Sequence, residues 1–258
     1  MTRSRAIAVG LVIAAIVLVG GYFAYDQVLR GDSAAPLALP SAPALAGSSA
    51  AASAGARPSK GAGASDASAV PAAGVDGDVA GTWAVVNGSR AGYRVTEQLA
   101  NLSAQSAAVG RTSSVTGSIT LDTSGATTTL TDGTLTVDTT TIASDKPMRD
   151  NRMRNEGLQT DSFPTASFKL TQAVAVPAAA LAGTASDITL TGDLTLHGVT
   201  KSVQIPVRAQ LVDGAIQVAG SITFPLADYS IVAPNVGGFI VSIADEGALE
   251  FQVNFAKG

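Results

Sequence analysis

The chain has no cysteine, a single histidine and little aromatic or charged character: 5% aromatic and 14% charged side chains over 258 residues. Without cysteine there is no disulfide, no thiol nucleophile, no thiolate metal site and no lipid-modified N-terminal cysteine. With His197 as the only imidazole, one copy of the chain cannot build a multi-histidine metal site, although carboxylates could still hold Ca²⁺ or Mg²⁺. Hydrolysis needs a nucleophile, a base and an orienting group held together, and the chain has neither a Gly-x-Ser-x-Gly elbow nor a glycine-rich phosphate loop. No enzymatic activity, cofactor or metal is therefore predicted. A net charge of −4 with only 16 Lys and Arg excludes the basic stripe that non-specific nucleic-acid binding requires.

The residues that are present divide the chain into three zones. Residues 1–30 contain an uncharged run of 19 residues from Ala6 to Ala24. As a helix this run would be ~29 Å long, enough to cross a bilayer's hydrocarbon core. Arg3 and Arg5 precede it, and Tyr22, Phe23 and Tyr25 sit at its far interface. The positive-inside rule then leaves the N-terminus cytoplasmic and the rest of the chain outside. An uncleaved anchor in contact with the membrane through residues 6–25 is the expectation; if the segment is instead a cleaved signal, the protein is secreted. Residues 31–80 hold 18 alanines and no aromatic residue, with prolines at 36, 40, 43, 58 and 71. Such a stretch cannot bury enough apolar surface to offset its ordering entropy, and it is predicted to be a disordered linker.

Residues 81–258 alternate between Thr, Ser or Asp and Val, Ile or Leu with the period of half-buried strands. Two dipeptides fix the register. If His197-Gly198 is a two-residue turn, Leu196 faces Val199, Gly192 faces Val203, Leu190 faces Ile205 and Ile188 faces Val207. If Asp213-Gly214 is another, Leu211 faces Ile216, Val207 faces Gly220, Ile205 faces Ile222 and Val203 faces Phe224. Both keep the apolar residues on one shared face, whereas a one-residue slip would scatter them, so residues 187–225 are predicted to form a three-stranded meander. Further strands are expected at 82–86, 90–97, 112–122, 133–141, 165–174 and 246–256, and a helix over Ser144–Glu156 with Ser144 as its cap. Long one-sided strands with so little helix to cover them must pack sheet on sheet or close into a barrel.

Several segments in this order resemble one family: Val109-Gly110-Arg111 with Gly117-Ser118-Ile119, then Phe163-Pro164-Thr165-Ala166-Ser167-Phe168, then Gly192-Asp193-Leu194-Thr195-Leu196-His197-Gly198-Val199-Thr200-Lys201, and last Asp228-Tyr229. Together they resemble the YceI-like lipid and polyisoprenoid-binding family across 81–258. The chain departs from the family pattern after Arg149-Asp150, where Asn151-Arg152 stand in place of a histidine, and at Thr112, where an aromatic often follows Gly-Arg. The resemblance implies an all-β fold: an extended, lipocalin-like antiparallel barrel of about eight strands with one short helix. It also implies that the lumen holds a polyisoprenoid or fatty-chain lipid, and it leaves room for a homodimer. On the register above, Leu190, Gly192, Leu194, Val203, Ile205, Val207, Gly220 and Ile222 would line that lumen, with Gly220 marking its thinnest wall. Lys201, Arg149 and Tyr229 are the head-group candidates. The expected function is that of a membrane-anchored, extracytoplasmic lipid-binding protein. The alternative is a structural or interaction protein of the cell envelope with a solidly packed barrel, which the sequence leaves open.

Overall fold

The computed structural model describes residues 34–40, 78–99, 105–234 and 240–258. Among these there is no helix long and apolar enough to cross a membrane. The predicted anchor, and the linker apart from 34–40 and 78–80, lie outside the described residues.

Eleven strands form one antiparallel sheet: β1 (Gly81–Val85), β2 (Arg90–Leu99), β3 (Gln105–Thr112), β4 (Val115–Ser124), β5 (Thr127–Asp138), β6 (Thr165–Leu170), β7 (Val174–Val176), β8 (Ser186–Leu196), β9 (Val199–Val212), β10 (Ala215–Pro225) and β11 (Ile240–Lys257). The order β1-β4-β5-β6-β8-β9-β10-β11 closes through β11–β1 pairing into an eight-stranded barrel. The 18-residue β11 has β10 on one edge and is long enough to serve two partners on the other. Its last residues, Phe255–Lys257, pair with β1, and its stretch from Ile240 to Gln252 pairs with β2, which carries β3 on its far side. The short β7 pairs with β5 below the stretch held by β6.

The two hairpins joining β8, β9 and β10 take the predicted register. His197 and Gly198 have φ of 51° and 74°, and so do Asp213 and Gly214, which is the type I′ geometry that matches strand twist. Leu196↔Val199, Gly192↔Val203, Leu190↔Ile205 and Ile188↔Val207 all pair, as do Leu211↔Ile216 and Val207↔Gly220. The expected pairs Ile205↔Ile222 and Val203↔Phe224 do not form, because the β9–β10 ladder ends at Gly220↔Val207. The turn makes Val212↔Ala215, Gln210↔Gln217 and Arg208↔Ala219 the hydrogen-bonded pairs. The next donor toward β10 would be residue 206, and Pro206 has no N–H. Past this point β10 stays with β11, and the seam it leaves is packed by the segment that follows. Phe224, Leu226, Tyr229 and Ile231 cluster with Ala166, Leu194 and Leu196.

Three other expectations change. β3 lies where no strand was predicted. The single strand 165–174 is two strands, β6 and β7. The helix is the six-residue α1 (Pro147–Arg152), which passes into a π-helical turn over Met153–Gly157. Pro147, suited to the first helical position, sets the start, so Lys146 and not Ser144 is the cap residue. Ser144 instead donates its backbone N–H to the Asp150 carboxylate of α1 at 2.8 Å. A second short helix, α2 (Ala178–Leu181), buries Ala180 at the opposite end of the barrel.

Within the predicted linker, Ala34–Pro40 lies against the outside of the barrel. Leu37 and Leu39 are half-buried, while Ala38 and the remaining residues are exposed.

Candidate lumen site

The barrel is not packed solid. A cavity of about 190 Å³ runs inside it. Its lining extends from Ala180, Leu181 and Leu211 near one end to Ile142, Met153 and Leu158 at the other, and is almost wholly apolar. A lining that runs from one end of the barrel to the other suits a chain more than a compact ligand. The helical segment from Pro147 to Leu158 reaches across the second end, because Arg149 pairs with Glu97 of β2 while Leu158 packs with the cluster around Leu194 and Tyr229.

Of the residues placed in the lumen by register, Leu190, Leu194, Ile205, Val207 and Ile222 line the cavity. Gly192, Val203 and Gly220 do not. Gly192 and Gly220 share the inward face but are roofed by neighbouring side chains. A Cβ on Gly192 would come within 2.4 Å of the Phe168 ring, and one on Gly220 within 2.8 Å of both Phe251 and Val207. The expectation that Gly220 marks a thin wall is thus corrected: a residue's face follows from register, but what fills the space above a glycine is decided by the strands beside it. Val203 packs against the Tyr229 cluster instead. Of the described glycines lining the cavity, Gly133 has room for a side chain, since a Cβ there would meet only ordinary contacts, Ile119 at 3.5 Å and Leu170 at 3.6 Å.

The three head-group candidates separate. Lys201 faces Leu194 as predicted, but its ammonium is 2.8 Å from Asp228 and 5.9 Å from the centre of the Tyr229 ring, in a partly exposed position. Tyr229 is 1% exposed and edge-on to Phe224, and its hydroxyl has no partner among the described residues. Burial, and next the Asp228 charge, raises its pKa above the ordinary value. His197 is spoken for by the turn: its Nδ1 lies 3.0 Å from the Tyr229 carbonyl oxygen and its ring stands 4.4 Å from that of Phe163.

Arg149 belongs to a different group, at the helical end of the cavity. Ala91, Tyr93, Val95 and Glu97 alternate along the inner face of β2, so the period that buries Tyr93 also turns a carboxylate inward. Glu97 is 3% exposed, and Arg149 meets it while also gripping Asp145. Burial alone would lower the Arg149 pKa, but the charges of Glu97 and Asp145 outweigh it and raise it. Tyr93 lines the cavity, with its ring lying over Gly110. Its hydroxyl and the Nε of Arg149 are both buried without a partner among the described residues. Desolvation pushes the Tyr93 phenol up to about 12, against the opposing pull of the Arg149 charge, so it stays a donor at any physiological pH. An apolar channel with an unsatisfied neutral donor at one end can hold a chain that carries one acceptor. Tyr93 and Glu97 escaped the sequence reading, though a Glu at an inward position of an alternating strand was a visible signal that a buried cation must come to meet it.

A YceI-like domain model matches residues 84–255. The chain belongs to the YceI-like family. Among solved structures, it is similar to a polyisoprenoid binding domain from Saccharophagus degradans implicated in plant cell wall breakdown, with 19% identity and a TM-score of 0.54 over 69% of this chain and 99% of that one. It is also similar to BcnA of Burkholderia cenocepacia, with 16% identity and a TM-score of 0.48 over 64% of this chain and 95% of that one. A Campylobacter jejuni YCEI protein matches with 13% identity and a TM-score of 0.40 over 54% of this chain and 81% of that one. Comparison with curated protein sequences returns no match. The YceI-like fold is a binding fold, and lipid binding within the barrel is the function it suggests.

Proposed function

We propose that this protein is a membrane-anchored, extracytoplasmic carrier that holds a polyisoprenoid or similar amphiphilic lipid in its lumen, the chain along the apolar channel and the polar end at Tyr93 and Arg149. The observation that carries this reading is the apolar cavity bordered by the buried, unpaired hydroxyl of Tyr93. Burying a hydroxyl without a partner costs roughly 1–3 kcal/mol, a penalty that a lipid carbonyl, hydroxyl or phosphate oxygen would remove. The chain itself gains from burial at ~25 cal/mol per Å² of apolar surface. The anchor and the side of the membrane rest on the uncharged run behind Arg3 and Arg5.

Mass spectrometry of lipids extracted from the purified protein tests the reading. A single-chain or polyprenyl amphiphile is expected at near-stoichiometric yield from the wild type, and at about a tenth of that or less from Tyr93→Phe, which keeps the ring and removes only the donor. No lipid in the wild type, even after incubation with polyprenyl phosphates or quinones, overturns it.

A further inference from the structure

The outer face of the barrel carries a charged cluster that the lumen does not use. Glu250 of β11 alternates with Leu249 and Phe251, which pack into the apolar clusters, so its side chain takes the opposite face of the strand, yet it is only 4% exposed. Arg94 Nε meets its Oε1 at 2.7 Å and Arg111 Nη2 meets its Oε2. The rest of the cover comes from far away in the chain. Leu37 donates its backbone N–H to Glu250 Oε2 at 3.3 Å, Arg94 Nη2 donates to the Ala34 carbonyl at 2.6 Å, and Arg111 Nη2 donates to the Ala35 carbonyl at 3.4 Å.

The two arginines are therefore each shared between the carboxylate and a backbone carbonyl of one extended heptapeptide, Ala34-Ala-Pro-Leu-Ala-Leu-Pro40. Pro36 and Pro40 restrict that peptide to extended conformations before it binds, which lowers the entropy cost of holding it. Leu37 and Leu39 are its half-buried positions, the alternation expected of an extended strand laid on a surface. Burial would raise the Glu250 pKa, but the Arg94 hydrogen bond, the Arg111 charge and the Leu37 N–H together outweigh it and lower it.

We propose that the Arg94–Glu250–Arg111 cluster is a docking site for the chain's own Ala34–Pro40 segment, and that this strap sets how far the barrel can move from the membrane. Nine residues separate Ala24, near the end of the uncharged run, from Ala34. Fully extended they span about 35 Å, whereas a free path from Ala24 to Gly81 would span about 190 Å. Resting on the anchor proposed above, docking turns a long tether into a short one and keeps the β2–β3–β11 face toward the bilayer.

Hydrogen exchange on the full chain in lipid nanodiscs of phosphatidylcholine and phosphatidylglycerol tests docking. The Leu37 amide is expected to exchange at least tenfold more slowly than its unstructured rate; exchange at that unstructured rate overturns the proposal. The tether length is read separately. Because the chain has no cysteine, Gln204→Cys supplies one exposed labelling point, and energy transfer to a head-group dye reports its height. Replacing Ala34–Pro40 by seven Gly and Ser residues leaves the barrel residues intact and is expected to lower the transfer efficiency at least twofold. Unchanged transfer in that variant overturns the role of the strap in reach. Neither readout depends on whether the lumen holds a lipid.

Discussion

Gly133 offers the sharpest test of a hollow lumen. It sits in β5, lines the cavity, and has a backbone free of positive φ, so a side chain can be added without strain. Gly133→Leu places four carbons in the channel at ~0.8 kcal/mol per buried carbon, about 3 kcal/mol before costs. Ordering the leucine side chain takes back about 0.5–1 kcal/mol, while removing a strand-interior glycine returns a similar amount. The delipidated variant should therefore be more stable than wild type by about 1–3 kcal/mol, a rise in Tm of roughly 2–4 °C for each kcal/mol in a domain this size. The same side chain occupies space needed by the lipid, so extractable lipid should fall severely. Gly220→Leu is the matched control. With Phe251 and Val207 at 2.8 Å and the Pro206 carbonyl oxygen at 3.0 Å from the new Cβ, it should destabilise by about 1–3 kcal/mol. The assay is a denaturation midpoint and a lipid yield for all three proteins. If Gly133→Leu is less stable than wild type and carries the same lipid, the cavity is not the binding site and the reasoning fails.

Three further outcomes follow from the site. The Tyr93 phenol titrates near 10 in the unfolded chain and near 12 in the folded one, so its contribution to stability is full below pH 10 and is lost as pH rises toward 12. That loss amounts to about 3 kcal/mol, and subtracting the pH–stability curve of Tyr93→Phe from that of the wild type isolates it; a flat difference between pH 9 and 12 would count against the buried phenol. Arg149→Met strands the inward Glu97 carboxylate and should cost about 3–5 kcal/mol in a urea titration, most of it recovered by adding Glu97→Gln; equal stability of single and double variants would show that the pair is not coupled. Pro206→Val supplies the missing donor toward Ser221, and hydrogen exchange should find a newly protected amide at residue 206; an unprotected amide would mean that something other than the proline ends the β9–β10 ladder.

The meander from β8 to β10 was legible because two independent signals agreed, a pair of turn dipeptides that demand positive φ and an alternation that tolerates only one register. β3 was not legible, since Gln105-Ser-Ala-Ala-Val-Gly-Arg has small residues on both faces and is held mainly by its neighbour β2. Pro206 was legible in principle: counting hydrogen-bonded pairs outward from Asp213-Gly214 lands on it, and a ladder that needs its N–H must stop there. The strap was illegible from composition, because seven Ala, Pro and Leu residues look like the rest of the linker until two arginines and a carboxylate from three separate strands are brought together on one face. The lumen residues were half legible. Register put eight residues on the inner face, but only the neighbouring strands reveal that Phe168 roofs Gly192 and that Phe251 and Val207 roof Gly220.

The two ends of the channel differ in a way that fixes how an amphiphile would sit. The end near Trp83, Leu211, Ile216 and Phe255 is closed by apolar side chains and by α2, and Trp83 turns its indole N–H away to the Val79 carbonyl at 3.0 Å. Among the described residues, the buried side-chain polar atoms without a partner gather at the other end, on Tyr93, Arg149, Tyr229 and His197, beside the helical segment. A lipid held tail-down meets apolar walls along its chain and a donor at its head. Held the other way, it forfeits the Tyr93 hydrogen bond and buries its polar head without a partner, which costs roughly 2–7 kcal/mol. Even the lower figure is about a thirtyfold preference for one orientation. A photoreactive group placed at the head of a polyprenyl probe should therefore attach near Tyr93 and Met153, and one at the tail near Leu211 and Ile216. Equal labelling of both regions by either probe would show that the polar end does not orient the ligand.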